Sequence, residues 1–149
     1  MVNLLPLRIL LTDDDEGDRL LFKEIIEEMN TETVVHTLKN GVELMNYLNE
    51  NHKSLPALLF LDLNIPLKSG MECLKEIRGN SKFDSIAIAI YSTSSFDKDI
   101  DRTFDEGANI YITKPSDFQT LKKVLTKAVS FTRQEKDSGF NKENFVLKI

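Results

Sequence analysis

The sequence predicts an α/β fold built on a five-stranded parallel sheet, doubly wound so that helices cover both faces. Three observations lead there. Five short apolar runs recur along the chain, and each is followed by a segment with apolar residues at three- and four-residue steps. Two of the runs, 57–61 (ALLFL) and 86–91 (IAIAIY), are apolar at every position, as strands covered on both sides are. Strict alternation of strand and helix then implies parallel pairing through right-handed crossovers.

In chain order, 7–12 (LRILLT) is the first strand, rich in branched side chains and ended by four consecutive acids. The helix predicted over 18–29 gathers Leu21, Phe22, Ile25, Ile26 and Met29, with Lys23, Glu24, Glu27 and Glu28 opposite. Residues 33–38 (TVVHTL) form a shorter strand, and 41–51 a helix carrying Val42, Leu44, Met45 and Leu48. After the 57–61 strand, the helix over 70–77 offers Met71, Leu74 and Ile77. The helix over 97–107, which follows the 86–91 strand, is the least apolar and is anchored by Ile100 and Phe104. The fifth strand, 109–113 (NIYIT), leads into a helix over 118–131 with Leu121, Val124, Leu125 and Val129.

A chain of 149 residues with 41% hydrophobic content suits one domain with a real core. Nineteen Lys and Arg stand against 24 Asp and Glu, a net charge of −5, which argues against a nucleic-acid partner. Cys73 stands alone, so neither an internal disulfide nor a cysteine zinc site is available. No apolar run reaches the roughly 18 residues of a membrane helix, and the start, MVNLLPLRILLTDDD, lacks the basic region and cleavage site of a signal peptide. A cytoplasmic protein without a membrane partner is expected. The last 17 residues are too few to fold alone and read as a tail or packed appendage.

In an open parallel sheet, ligands bind outside the carboxyl ends of the strands. Here the first strand ends in Asp13, Asp14, Asp15 and Glu16, and the third in Asp62, Leu63, Asn64, Ile65 and Pro66. The fourth runs into Ser92, Thr93, Ser94 and Ser95, and the fifth into Lys114 and Pro115. Carboxylates gathered in this way repel one another unless a cation sits among them. Mg²⁺ takes oxygen ligands, so Asp13, Asp14 and Asp62, with a backbone carbonyl near Asn64, suit it. A carboxylate so screened is a competent nucleophile toward a phosphoryl group, with Lys114 as the opposing cation and Ser92 as a hydrogen-bond donor.

The segments ILLTDDDE, LDLNIPLKSG, the serine at 92 and ITKP together resemble the receiver domain of two-component response regulators, over about residues 7–132. Thirty residues separate Asp62 from Ser92 and 22 separate Ser92 from Lys114, as in that family. The resemblance implies the flavodoxin-like receiver fold over 1–132, a tail over 133–149, and no output domain. It makes Asp62 the phosphoacceptor, Asp13 and Asp14 the acid pair of a Mg²⁺ site, and Lys114 the invariant lysine followed by a cis bond to Pro115. Ser92 matches the switch hydroxyl, Tyr111 the aromatic switch position, and Asn64 and Ser94 the positions that tune loss of the phosphoryl group. Within the family, the chain resembles bacterial stand-alone regulators, including partners of phytochrome-type kinases. That implies a sensor histidine kinase or phosphotransfer protein as phosphodonor, and a homodimer through the fourth helix, fifth strand and fifth helix. Ala87 departs from the family, which commonly has Pro there.

Other readings compete at each position. An aspartyl-phosphate phosphohydrolase needs a second acid two residues after the nucleophile, where Asn64 stands. A flavodoxin-type cofactor site needs bare amides after the first strand, where four acids would repel phosphate. The protein is therefore expected not to be an enzyme beyond its own phosphorylation and slow dephosphorylation. His36 and His52 lack a partnered motif, Cys73 reads as a small core residue, and Gly70 stands where a side chain would crowd the loop after Asp62.

Overall fold

The structure, a computed structural model, describes residues 6–29, 32–134 and 141–147. Five strands, β1 (Leu7–Thr12), β2 (Thr33–Leu38), β3 (Leu58–Leu61), β4 (Ala87–Ser92) and β5 (Ile110–Thr113), pair in parallel in the order β2-β1-β3-β4-β5. Between and after them lie α1 (Glu16–Glu28), α2 (Gly41–Glu50), α3 (Gly70–Arg78), α4 (Asp97–Asp105) and α5 (Phe118–Gln134). This is the doubly wound α/β fold that the alternation predicts. The strand order reverses between β1 and β3, which sets a crevice at their carboxyl ends.

Strand alternation divides the core in two, because successive side chains leave a strand on opposite faces. On one face Ile9, Leu11, Phe60, Ile110 and Ile112 pack with Phe22, Ile25 and Ile26 of α1 and with Leu121, Val124 and Leu125 of α5. On the other, Leu10, Leu59, Leu61, Ile88 and Ile90 meet Leu44 and Leu48 of α2 and Leu74 and Ile77 of α3. The alternating sizes in β4 now have a purpose. Ala89 is in register with Phe60, leaving room on the α1 face for the Phe60 ring, which packs edge-on to Phe22 at 4.8 Å between centroids. Burying an aromatic side chain of this kind stabilises by about 1.5–3 kcal/mol.

Local chemistry sets the helix ends. Asp15 caps α1 by accepting the Asp18 amide at 2.7 Å, so the helix starts earlier than its apolar face alone suggests. Asn40 caps α2, and Ser69 with Glu72 forms a reciprocal capping box on α3. Gly70 is required as expected: a β-carbon there would run into the backbone oxygen of Asp62 and come within 2.7 Å of Leu63 Cα. Gly41 is equally confined, against the backbone of Lys68. Helix α5 continues to Gln134, past the 132 boundary read from the sequence.

The described part of the tail is packed. A single 3-10 turn, Lys142–Asn144, delivers Phe145 into the core at 2% exposure, and Val146 forms a parallel bridge with Tyr111. Tyr111 N donates to Phe145 O at 2.7 Å and Leu147 N to Tyr111 O at 2.9 Å. The Phe145 ring sits 5.1 Å from Phe104 and 6.1 Å from Tyr111, centroid to centroid. Residues 135–140, 148 and 149 of the expected tail lie outside the described residues. No helix of the described residues is long and apolar enough to cross a membrane.

Candidate functional site

At the carboxyl edge of the sheet, three strands deliver charge to one point. Asp13 follows β1, Asp62 follows β3 and Lys114 follows β5. The Lys114 ammonium lies 2.6 Å from Asp13 Oδ2 and 3.0 Å from Asp62 Oδ2, and both carboxylates are buried. The remaining oxygens are held by local backbone. Asp13 Oδ1 accepts the Asp15 amide at 3.0 Å, and Asp62 Oδ1 accepts the Asn64 amide at 3.1 Å. Arg19 braces the first of these turns by donating to the Asp13 carbonyl at 2.8 Å.

Burial pushes the Asp62 carboxyl above the ordinary range, against the Asn64 N–H and the Lys114 charge, with the Asp13 charge adding to the rise. For Lys114, burial alone would lower the ammonium. The hydrogen bond to Asp13 and the charges of both acids outweigh it, and the net shift is upward. Lysine protonation is therefore secure across the working range.

Asp13, Asp14 and Asp62 each place a carboxylate oxygen within 4.8 Å of the others, with Asp14 exposed and the other two buried. Asp18 adds a fourth acid, 3.2 Å from the Lys114 ammonium. One ammonium does not offset four carboxylates, and an all-oxygen donor set open on the Asp14 side fits a hard divalent cation that keeps part of its water. Asp18 is absent from the sequence-level site. It is 96 positions from Lys114, and no local pattern joins the two. Tyr91 also reaches the site, although in the wholly apolar 86–91 run it reads as core. Its ring lies 4.9 Å from the Lys114 ammonium.

A family model described as the response regulator receiver domain matches residues 9–126. The chain belongs to the response regulator receiver family. It is 29% identical over 130 residues to the response regulator Rcp1 of Synechocystis sp., covering 85% of this chain and 88% of that protein. Among solved structures, it is similar to the phosphorylated cyanobacterial phytochrome response regulator RcpA, at 31% identity and a TM-score of 0.81 over 87% of this chain and 96% of that one. The Mn²⁺-bound form of Rcp1 gives 28% identity and a TM-score of 0.76 over 89% of this chain and 98% of that one. Receivers bind a divalent metal, and the acidic cluster here fits that property.

Of the other positions expected from the sequence, Ser92 ends β4 and Tyr111 lies on β5, while Asn64 and Ser94 follow β3 and β4. Ser92 is fully buried at the end of β4, and its Oγ accepts the Ser94 amide at 3.2 Å. Tyr111 is wholly buried, with its hydroxyl donating to Ser94 O at 2.8 Å, and burial raises its phenol. Asn64 is exposed at the rim. One expectation is corrected. The Lys114–Pro115 bond is trans, since there is no cis peptide among the described residues. X–Pro bonds favour trans by about 0.5–1 kcal/mol. With the trans bond, Lys114 N still donates to Ser92 O at 2.8 Å and the ammonium reaches its acids, so these contacts do not demand the cis form.

His36 stacks on Tyr47 at 4.8 Å between centroids, and the His52 ring lies 3.2 Å from the Asn49 carbonyl, both away from the acidic cluster. Cys73 is buried, with its thiol pushed up to about 12 by that burial, and serves as core.

Proposed function

We propose that this receiver accepts a phosphoryl group on Asp62 from the phosphohistidine of a sensor kinase or phosphotransfer protein. The observation that carries the reading is the Lys114 ammonium bridging Asp13 and Asp62 at the ends of three parallel strands. A Asp62 carboxylate oxygen attacks phosphorus in line, the P–N bond breaks, and the imidazole leaves with the bonding pair. Mg²⁺ held by Asp13, Asp14, Asp62 and the Asn64 carbonyl would supply positive charge to the phosphoryl oxygens. Lys114 stays protonated and supports the transferred group from the opposite side. Ser92 Oγ moves from the Ser94 amide toward a phosphoryl oxygen, and the group adds about −1.5 to −2 of charge at the sheet edge.

The output is a change of surface. Ser92 and Tyr111 both bond to Ser94, so motion of Ser92 is felt at β5 and α4, a local charge event biasing a two-state element. Asn64 and Ser94, at the rim, set how readily water removes the group. The phosphoryl group serves as a signal here and not as an intermediate of turnover, because Asn64 cannot act as the general acid of a phosphohydrolase. The test is labelling by a small phosphodonor, acetyl phosphate with Mg²⁺. Wild type is expected to take up label and Asp62→Asn to take up none; equal labelling of the two would overturn the assignment.

A further inference from the structure

Ser94 stands where both switch side chains meet helix α4. Its amide donates to Ser92 Oγ at 3.2 Å, its carbonyl accepts from Tyr111 OH at 2.8 Å, and its hydroxyl lies 2.6 Å from Asp99 Oδ2. The Phe96 amide donates to the same hydroxyl oxygen at 3.3 Å, which leaves the Ser94 proton committed to Asp99. Asp99 is thus the tie from helix α4 to a peptide that the switch residues share. Ser94, Asp99 and Asn64 also line one cleft of about 400 Å³, between the loop after β3 and the start of α4.

We infer that Asp99 is a positioning residue for the phosphoryl switch: by accepting the Ser94 hydroxyl it fixes the peptide on which Ser92 and Tyr111 depend. The inference rests on the reading of Asp62 as phosphoacceptor. In the phosphorylated state Ser92 Oγ has left the Ser94 amide, and the tie acts on it through the backbone two residues away. Without Asp99 the loop after β4 loosens, that backbone no longer holds Ser92 against the phosphoryl oxygen, and water reaches phosphorus sooner. Asp99 also has a plainer role, since an acid in the first turn favours the helix end. That role would change the stability of α4 and leave the lifetime of the aspartyl phosphate unchanged.

A double-mutant cycle separates the two roles. The full chain is labelled with acetyl phosphate and Mg²⁺, the donor is removed, and loss of label is followed in wild type, Asp99→Ala, Asp99→Asn, Ser94→Ala and the double alanine variant. Asp99→Ala is expected to shorten the lifetime several-fold, Asp99→Asn to recover most of it through its remaining oxygen acceptor, and Ser94→Ala alone to match Asp99→Ala. In the Ser94→Ala background, Asp99→Ala should have no further effect. Equal lifetimes in labelled wild type and Asp99→Ala overturn the inference alone, as does an undiminished effect in the Ser94→Ala background. Asp99→Asn decaying as fast as Asp99→Ala overturns the hydrogen bond as its basis. A wild-type chain that takes no label overturns the reading of Asp62, and the inference with it.

Discussion

Leu67, in the loop after β3, holds a left-handed backbone with φ 69° while 78% of its surface is exposed. A β-carbon in that region costs about 1–2 kcal/mol, and an exposed leucine recovers little of it by burial. Asparagine visits the same region more easily, so Leu67→Asn is expected to gain roughly 1 kcal/mol in urea unfolding. Asp62 carries a cost of another kind. Its folded-state carboxyl is raised by burial, so the fold favours the protonated form. As pH rises, the unfolded chain ionises first, near the ordinary value of about 4, and stability falls until the raised native value is passed. Asp62→Asn should therefore melt above wild type at neutral pH without metal, and the gap should narrow as pH drops below about 4. A gap independent of pH would mean that the asparagine acts through packing and not through charge.

Among the elements, Arg78 joins the end of α3 to the amino ends of β4 and β5. Arg78 donates to Gly107 O at 2.8 Å, Ile86 O at 2.8 Å and Asn109 Oδ1 at 2.9 Å, while Asn109 Oδ1 also accepts the Ile88 amide. Arg78→Met would leave half-buried carbonyls unpaired and is expected to cost about 2–4 kcal/mol in denaturant unfolding. Because these contacts lie at the amino ends of β4 and β5, phosphoryl uptake should be unchanged; a loss of uptake would show that the two ends of the sheet are coupled. This contrast explains what was legible in the sequence. The strands and the acids at their ends are read from short contiguous patterns, since a parallel sheet puts every strand's carboxyl end on the same edge. Arg78, Asp18 and Asp99 gain their roles from partners that no local pattern specifies, 29 and 96 positions away for the first two. The isomer at Pro115 was illegible for an energetic reason, because cis and trans X–Pro forms differ by so little. In the sequence, residues 145–147 read only as part of the tail, and their seat beside Tyr111 follows from the third dimension.

For the whole molecule, the main question is what the α4, β5 and α5 face meets. Pairing of two copies through that face predicts a doubling of mass on beryllofluoride, a mimic of the phosphoryl group, when the protein is sized with Mg²⁺. An unchanged mass would assign the face to a separate protein. Residues 141–147 already occupy part of it, and that has a consequence apart from signalling. The sheet has two edges, β2 and β5, and β5 is a run of four residues, IYIT, with strong strand propensity. Bare edges of this kind recruit strands from other molecules and seed aggregation. The Val146 bridge takes up both backbone groups of Tyr111 in the middle of that edge. The segment therefore also covers the middle of an edge that would otherwise be open to a strand from another molecule.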